Sequence, residues 1–336
     1  MALIAKEYRG ELADLYHYGH IVAVDTEGKI LWQLGDPNRV TYSRSSAKLM
    51  QAIPVVESGA LEKYNITERE LALMCASHRG ENFHTEAVLA ILNKAGLSET
   101  HLQCGTHYPL APYMEDKLKA EGITPTSVHS NCSGKHAGLL IAAKALGLGI
   151  DDYYTSSHYL QQRATEVIAQ ICDYPADEII LGLDGCGVPV HAMPIYKFAQ
   201  GYAKMSKPET LGDNLSKTIS RITAAMLKNP EMVDGTEGFT TELMQTFGDR
   251  LFCKSGANAF YAIGIIDKGI GIAMKMDGGA SPIVPIAMLE TLVQIGVITK
   301  DEADKLPTHK PMTIKENHKG EVIGKTIPEF ILERLS

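Results

Sequence analysis

Strand-like segments lie near both ends of this 336-residue chain, and helical patterns fill the region between them. Two apolar runs at residues 21–25 and 29–34 flank the turn Thr26-Glu27-Gly28, which is typical of a hairpin. Strands that are grouped apart from helices indicate an α+β fold with an antiparallel sheet. The strand-like segments near the other end of the chain are residues 251–254, 259–266 and 270–276, with Asp267-Lys268-Gly269 as a hairpin turn.

We therefore expect one domain over residues 1–336, in which strands from both chain ends pair and a central helical region covers one face of their sheet. The sheet would take about residues 1–40 and 250–336, and the helical region about residues 41–249.

The middle of the chain carries the apolar periodicity of helices. Residues 45–58 predict a helix that Pro54 kinks and Gly59 ends. Thr67 and Glu70 predict a capping box at the start of the next helix. Asn82 is expected to cap a helix over 83–95. Further helices are predicted at 134–146, 158–172, 211–228, 237–246 and 282–298, a short one at 328–335, and a short buried strand at 179–183.

Charge and composition exclude several kinds of partner. The net charge is −8 and no Lys/Arg-rich run is present, which argues against nucleic-acid binding. No apolar run reaches the roughly 18 residues of a membrane span, and the first residues lack the pattern of a signal peptide. We expect a cytoplasmic protein without membrane contact, whose six cysteines are thiols, ligands or core residues rather than a disulfide framework.

The first chemical motif is Ser45-Ser46-Ala47-Lys48, an S-x-x-K sequence at a predicted helix start. Residues three apart share a helix face, so the Lys48 amine can reach the Ser45 hydroxyl. A serine becomes a useful nucleophile only when a neighbouring base takes its proton, and burial or nearby cations can make a lysine such a base. The motif is short enough to occur by chance at a solvated helix start.

Two companions strengthen the motif. Serine β-lactamases and penicillin-binding proteins combine S-x-x-K with a central serine-containing motif and a K-[ST]-G strand. Lys254-Ser255-Gly256 lies on a predicted C-terminal strand, as that architecture requires. The central element could be Ser77, which follows a predicted helix, or Ser130-Asn131, which precedes one.

A second constellation contains sulfur and nitrogen donors. Cys132, Lys135 and His136 stand at a predicted helix N-terminus, and Cys186 lies in the turn Asp184-Gly185-Cys186-Gly187. Two thiolates with nitrogen ligands would suit zinc, although lysine is a rare ligand because its amine must be deprotonated. Spacing alone favours two unconnected core cysteines over a pair of metal ligands.

The motifs belong to six longer segments of the chain: Arg44-Ser45-Ser46-Ala47-Lys48, Cys75-Ala76-Ser77-His78-Arg79-Gly80-Glu81, Cys104-Gly105, His129-Ser130-Asn131-Cys132-Ser133-Gly134-Lys135-His136, Asp184-Gly185-Cys186-Gly187 and Lys254-Ser255-Gly256. Together these segments resemble the rhizobial-type, class 3 L-asparaginases, a family with a serine β-lactamase-like fold that is unrelated to the threonine-dependent and self-cleaving asparaginases. The resemblance spans roughly residues 20–280, and it implies a homodimer.

The resemblance also implies a role for individual residues. Ser45 and Lys48 match the first Ser–Lys pair of the family, and Ser77 and Lys254 match the second. The resemblance also implies about one zinc ion per chain, with Cys132, Lys135 and Cys186 as its ligands. That ion would position the substrate rather than activate water. The residues implied around that metal and the substrate are His136 and Asp184.

The expected reaction is hydrolysis of L-asparagine to L-aspartate and ammonia through a serine acyl-enzyme. Ser45 would attack the side-chain amide with Lys48 as its base, and Ser77, tuned by Lys254, would pass a proton to the leaving ammonia. Asp184 would face the substrate α-ammonium, and Arg44 or Arg79 its carboxylate.

Two other classes of function fit part of the pattern. A β-lactam or D-Ala-peptide acyl-transfer enzyme would use the same fold, although the Cys-x-x-Lys-His segment argues against it. A metal-dependent binding protein without turnover would keep the fold, although intact Ser45, Lys48, Ser77 and Lys254 argue against the loss of catalysis.

Overall fold

The computed structural model describes residues 1–266 and 268–335. The chain forms two compact units. The first, here called the sheet unit, comprises Met1–Ser43, Met193–Lys207 and Thr246–Ser336. The second, the helical unit, comprises Arg44–Ala192 and Pro208–Gln245. The central segment Met193–Lys207 therefore belongs to the sheet unit, whereas we expected an unbroken helical region over about residues 41–249.

The strands are β1 (Ala2–Arg9), β2 (Leu12–Val24), β3 (Ile30–Leu34), β4 (Val40–Tyr42), β5 (Ile180–Leu183), β6 (Pro189–Pro194), β7 (Leu251–Gly256), β8 (Phe260–Ile265), β9 (Ile270–Met276), β10 (Thr313–Glu316), β11 (Val322–Pro328) and β12 (Glu333–Arg334). The first helices are α1 (Lys48–Gln51), α2 (Ile53–Glu57), α3 (Ala60–Lys63), α4 (Glu68–Met74), α5 (Asn82–Lys94), α6 (Pro112–Ala120) and α7 (Ser133–Ala145). The remaining helices are α8 (Tyr159–Cys172), α9 (Ile195–Ser206), α10 (Asp213–Lys228), α11 (Pro230–Asp234), α12 (Phe239–Phe247), α13 (Val284–Gln294) and α14 (Lys300–Asp304).

Strands from both chain ends form one antiparallel sheet, which confirms the predicted α+β class. Its order is β10-β11-β1-β2-β9-β8-β7, and β3 joins β2 to β12 beside this path. The pairing of β2 with β9, which sets Val22 opposite Ala273, unites the two ends of the chain. The predicted hairpin is also present, since β2 and β3 pair with Ile21 opposite Leu34. In the second predicted hairpin, Asp267 lies outside the described residues, and the flanking strands β8 and β9 pair as expected.

Helix α9 packs directly on this sheet. Phe198 of α9 meets Phe260 edge to face with ring centroids 5.5 Å apart, and Tyr202 stacks on Phe252 at 5.7 Å. The helix and sheet approach so closely at Gly271 that a Cβ there would lie 1.8 Å from the Ala199 carbonyl oxygen. Glycine is therefore required for packing, and α9 is part of the core of the sheet unit.

The helical unit is organised around α7. All of its residues from Ser133 to Ala143 are buried, as in a helix surrounded by other elements. The predicted capping box is present at α4, where Thr67 and Glu70 exchange side-chain and backbone hydrogen bonds. The helix predicted over 45–58 is broken at Ala52, because Pro54 in the first turn of α2 removes a backbone donor.

Three local predictions were wrong. Residues 179–183 were expected to be a buried strand, but β5 is largely exposed because it lies at the edge of its sheet. Residues 328–335 were expected to be helical, but Glu333 and Arg334 form β12 and pair with β3. Asn82 is the first residue of α5, and Glu81 takes the capping position.

Among the described residues, no helix combines the length and the apolar character that a transmembrane span needs.

The close approach of α9 and β9 predicts a strong effect of one added methyl group. Gly271→Ala should lower the free energy of unfolding by about 3 kcal/mol, because the nearest neighbours of the new Cβ are helix backbone that must move. Gly278→Ala is the matched control, since its Cβ would meet nothing within 4 Å. Urea unfolding of both variants checks this, and equal stability of the two would contradict the packing described.

Candidate active site

Ser45 and Lys48 lie where the helical unit begins. Arg44 precedes them with a φ of 50°, a left-handed conformation that is uncommon for a residue with a side chain. A 3-10 turn covers Arg44–Ala47, and α1 starts at Lys48. Ser45 is 8% exposed and Lys48 is fully buried. The S-x-x-K motif is therefore at a helix start, as predicted, and its amine is removed from water.

The Lys48 amine contacts both elements that the sequence left open as the central motif. Its Nζ donates to the Ala76 carbonyl oxygen at 2.5 Å and to the Ser77 hydroxyl at 3.3 Å. It also donates to the Asn131 carbonyl oxygen at 3.3 Å. In the described part of the chain, no hydrogen bond joins Lys48 to Ser45. The amine is thus directed at Ser77, the serine that sequence reasoning paired with Lys254.

Lys254 lies on β7 in the sheet unit. It is fully buried, and its Nζ donates to the Ser255 carbonyl oxygen at 2.9 Å and is 3.3 Å from the Ser255 hydroxyl. The Lys254-Ser255-Gly256 motif is on a strand, as predicted. The pairing of Lys254 with Ser77 stays a prediction.

Arg44 and Asp184 form an ion pair that is mostly shielded from water. The Arg44 Nη2 and Nε atoms donate to Asp184 Oδ1 at 2.8 Å and 3.0 Å. The Gly185 N–H donates to the same oxygen at 2.9 Å. The hydrogen bonds of the described residues leave Asp184 Oδ2 and Arg44 Nη1 unused, so the pair still has an acceptor oxygen and a donor nitrogen for a ligand.

The turn that carries Asp184 is part of a hairpin. Strands β5 and β6 pair with Leu183 opposite Pro189. The Gly187 N–H closes the turn by donating to the Asp184 carbonyl oxygen at 2.9 Å, and Gly187 has a φ of 86° that favours glycine. The predicted Asp184-Gly185-Cys186-Gly187 turn is present, and it brings Cys186 towards α7.

Cys186 meets the two candidate ligands at the start of α7. The Lys135 amine lies 3.2 Å from the Cys186 sulfur. Cys132, Lys135 and Cys186 are 6%, 4% and 5% exposed. A hydrogen bond from Cys132 lowers the pKa of the Cys186 thiol, as does the Lys135 charge. The same hydrogen bond raises the pKa of Cys132.

His136 lies beside this cluster. Its Nδ1 is 2.7 Å from the Tyr153 hydroxyl, and its Nε2 is buried. Burial lowers the pKa of His136, whereas a hydrogen bond with Cys186 acts in the opposite direction. His136 therefore adds a nitrogen next to the two cysteines and Lys135.

The donor set of the cluster fits zinc in kind. Thiolates and a nitrogen donor are ligands that zinc accepts, and the three side chains are buried and converge. Within residues 1–266 and 268–335, no group of three or more His, Cys, Asp or Glu side chains could hold a metal ion. The expected set has two such side chains, and its third member is a lysine.

Two buried histidines, His78 and His84, follow Ser77 in the sequence, and sequence reasoning gave them no role. The Gly80 N–H donates to His78 Nδ1, so the protonated Nε2 of His78 donates to the Ser133 hydroxyl at 2.8 Å. The Glu81 N–H donates to His84 Nδ1, so His84 Nε2 donates to the Glu231 carbonyl oxygen at 2.9 Å. Both rings are neutral in this arrangement, and they stack with centroids 5.0 Å apart.

His78 is part of a motif identified from the sequence, and His84 follows it closely. The residues that these histidines contact could not be predicted from the sequence, because they lie far away along the chain. Ser133 and Glu231 are 55 and 147 residues from the histidines they contact. The Asn131 contact with Lys48 uses a backbone oxygen, which leaves no trace in residue types.

The family model described as L-asparaginase II matches residues 5–328, so the chain belongs to this family of amide hydrolases. No curated protein matches the chain significantly.

Several solved structures are distantly similar. Mglu in its glutamate form has 13% sequence identity and a TM-score of 0.46, over 84% of this chain and 62% of Mglu. The chain thus spans less than two thirds of that protein. A β-lactamase from Mycobacterium bovis has 13% identity and a TM-score of 0.42, over 83% of this chain and 95% of the other. A D-alanine carboxypeptidase from Burkholderia cenocepacia has 14% identity and a TM-score of 0.38, over 80% and 91%.

The neutral His84 predicts a loss of stability in acid. Burial lowers the pKa of His84 from 6.5 to about 4, so the unfolded chain binds a proton that the folded chain does not in this range. The contribution is complete above the unfolded pKa and is lost as pH falls towards the folded pKa. Between about pH 7 and about pH 5, this group should lower the free energy of unfolding by roughly 2 kcal/mol.

Urea unfolding at the two pH values tests this linkage. His84→Phe should reduce the difference between them, whereas His318→Gln, at an exposed position, should leave the difference unchanged. An unchanged difference in His84→Phe would contradict a neutral His84.

Proposed function

We propose that the protein is an L-asparaginase that hydrolyses the side-chain amide of L-asparagine to L-aspartate and ammonia through a serine acyl-enzyme. The observation that carries this is the buried Lys48 amine, which lies 3.3 Å from the Ser77 hydroxyl and follows Ser45 by one helical turn. Membership of the L-asparaginase II family gives the substrate class.

The proposed first step is attack by the Ser45 hydroxyl on the amide carbon. Lys48, in its neutral form, takes the serine proton as the new carbon–oxygen bond forms. The carbonyl oxygen becomes an oxyanion, for which the Ser45 backbone N–H is a candidate donor. Ser77 passes a proton to the leaving ammonia as the carbon–nitrogen bond breaks, and water then hydrolyses the acyl-enzyme.

The contact between Lys48 and Ser77 supports a shared proton path. A hydroxyl that accepts a hydrogen bond from Lys48 can receive the proton that Lys48 has taken from the nucleophile, and then donate its own. The same contact also allows the roles of Ser45 and Ser77 to be exchanged. In the proposed assignment, Lys254 tunes Ser77 as the second Ser–Lys pair.

The Arg44–Asp184 pair supports recognition of an amino acid zwitterion. Arg44 Nη1 would bind the α-carboxylate and Asp184 Oδ2 the α-ammonium. Arg79 is the less suitable alternative, because its Nε donates to the Asp234 carbonyl oxygen at 2.7 Å and its guanidinium also lies beside the Asp234 carboxylate.

Zinc is proposed as a resident ion, held by Cys132, Lys135 and Cys186. Thiolate ligands favour zinc, and the bound ion would fix the side chains that line the α-amino end of the substrate pocket. His136 and Asp184 would align substrate beside these ligands. Lys135 must lose a proton to act as a ligand, so metal binding should release protons.

The resemblance further implies a homodimer in solution, which light scattering after size-exclusion chromatography tests. Hydrolysis of a chromogenic cephalosporin without ammonia release from L-asparagine would favour the β-lactam-type alternative instead.

Loss of the nucleophile should abolish turnover. Ser45→Ala should lower kcat for ammonia release by roughly three orders of magnitude or more, as expected for removing a nucleophile. Ser58→Ala is a matched control at the end of α2, where the hydroxyl bonds only to nearby backbone among the described residues. Near-normal kcat in Ser45→Ala would exclude Ser45 as the nucleophile.

The same reaction can assign the covalent step. We expect intact-mass measurement after rapid acid quenching to detect an aspartyl adduct, and peptide mapping to locate it on Ser45. An adduct on Ser77 would exchange the roles of the two serines and leave the proposed substrate unchanged.

Metal removal should act mainly on substrate binding. Elemental analysis of protein purified without chelator should find about one zinc per chain. Stripping the metal should raise KM with a smaller change in kcat, because the Ser45 chemistry uses no metal-bound water. Cys132→Ser should lose the metal, whereas Cys172→Ser, the same change at a buried position on α8, should keep it.

If the purified protein contains no metal and Cys132→Ser has a normal KM, then Cys132 and Cys186 are core residues and not metal ligands. Abolished kcat with an unchanged KM after metal removal would make the ion catalytic.

A further inference from the structure

The irregular segment Ser77–Glu81, here called the Ser77 loop, joins α4 to α5. Residues 233–236, which comprise the end of α11 and the two residues that follow it, run beside it. The Ser77 N–H donates to the Val233 carbonyl oxygen at 3.0 Å. Two residues later, the Arg79 side chain donates to the Asp234 carbonyl oxygen at 2.7 Å. The loop is therefore tied to a segment about 155 residues away in sequence.

The last tie is the strongest by its chemistry. Glu81 is 2% exposed, and its Oε1 accepts from the Thr236 hydroxyl at 2.5 Å. Its Oε2 accepts from the Thr236 N–H at 3.1 Å. The Tyr113 hydroxyl of α6 donates to the same carboxylate at 2.5 Å. Hydrogen bonds to an ionised acceptor are roughly twice as strong as neutral ones.

These contacts occupy both oxygens of the Glu81 carboxylate. Its carboxylate accepts hydrogen bonds from two other segments of the chain. It is buried at the C-terminal end of the loop, whereas Lys48 contacts Ala76 and Ser77 at the N-terminal end. Thr236, in contrast, is exposed and supplies two of the donors. An exposed residue that holds a buried carboxylate can be changed without opening a cavity in the core.

The opposite side of the loop is held independently. His78 donates to Ser133 at the start of α7. The loop thus has one side tied to α7 and the other to residues 233–236. Loss of the Thr236 hydroxyl would remove one tie on the second side, where the contacts with the Val233 and Asp234 carbonyl oxygens remain. The loop would keep its fold, but the position of Ser77 relative to Lys48 would be less tightly fixed.

We propose that Thr236 is a positioning residue that acts through Glu81 to fix the Ser77 loop against Lys48. The inference rests on the proposed function, because it assigns a purpose to the position of Ser77. A displacement of about 1 Å at a reacting group can cost about a hundredfold in rate. The substrate-recognising pair of Arg44 and Asp184 lies on other elements, so kcat should change more than KM.

The test compares variants of one exposed side chain. Thr236→Val removes the hydroxyl with little change in shape and should lower kcat about tenfold with KM changed less than about twofold. Thr236→Ser keeps the hydroxyl and should restore kcat to within about twofold of wild type. A general effect on stability would not produce this rescue together with a preserved KM.

The matched control is Thr299→Val on the N-terminal side of α14. The Thr299 N–H and hydroxyl also donate to one glutamate carboxylate, that of Glu302, at 2.8 Å and 3.2 Å. The substitution therefore removes the same kind of bond in the sheet unit and should leave kcat unchanged.

Hydrogen exchange supplies a readout that does not depend on turnover. Peptides covering residues 75–81 should exchange faster in Thr236→Val than in wild type, Thr236→Ser or Thr299→Val. Faster exchange together with the lowered kcat supports the proposal. Unchanged exchange in Thr236→Val overturns it, as does faster exchange with unchanged kcat. A wild-type protein that releases no ammonia from L-asparagine overturns the proposed function itself, and that outcome is visible before any variant is compared.

Discussion

Burial of the Lys48 amine is the constraint on which the arrangement of the helical unit depends. Removing a polar group from water costs several kcal/mol unless hydrogen-bond partners in the protein replace the lost hydration. The replacements come from residues 76 and 77 and from residue 131, which are 28, 29 and 83 positions from the lysine in sequence. The Lys48 amine can be buried only when these segments come together. Its hydrogen bonds and the assembly of the site therefore form at the same time.

Helix α7 connects this centre to the sulfur cluster. Ser133 accepts from His78 of the Ser77 loop, and Lys135, two residues later, contacts Cys186. Because α7 is buried from its first residue to Ala143, both contacts are anchored to the same helix in the core. The proposed metal ligands and the proposed proton path are therefore held by the same helix, although their chemistry is separate.

Periodicity predicted the sheet class, most helices and the α4 cap, because those features depend on neighbours in sequence. It failed where a contact with a residue far away in sequence determines the local structure. Residues 328–335 become strand because Glu333 and Arg334 find β3, and α9 joins the sheet unit because Gly271 admits it. The motifs likewise identified the types of site residue, and the structure added which of them meet. Lys48 was expected to serve Ser45, yet its side-chain hydrogen bond is with Ser77.

Arg44 carries two demands that no other residue type meets together. Its φ of 50° suits glycine or asparagine, whereas its hydrogen bonds to Asp184 need a planar guanidinium. Glycine or asparagine would relieve the backbone strain at this position but could not form the ion pair with Asp184. Lysine would keep a charge, lose the paired geometry and leave the backbone strained. A mutational library at this position should therefore have a single sharp optimum rather than a graded series, and attempts to widen substrate range would do better to vary its surroundings.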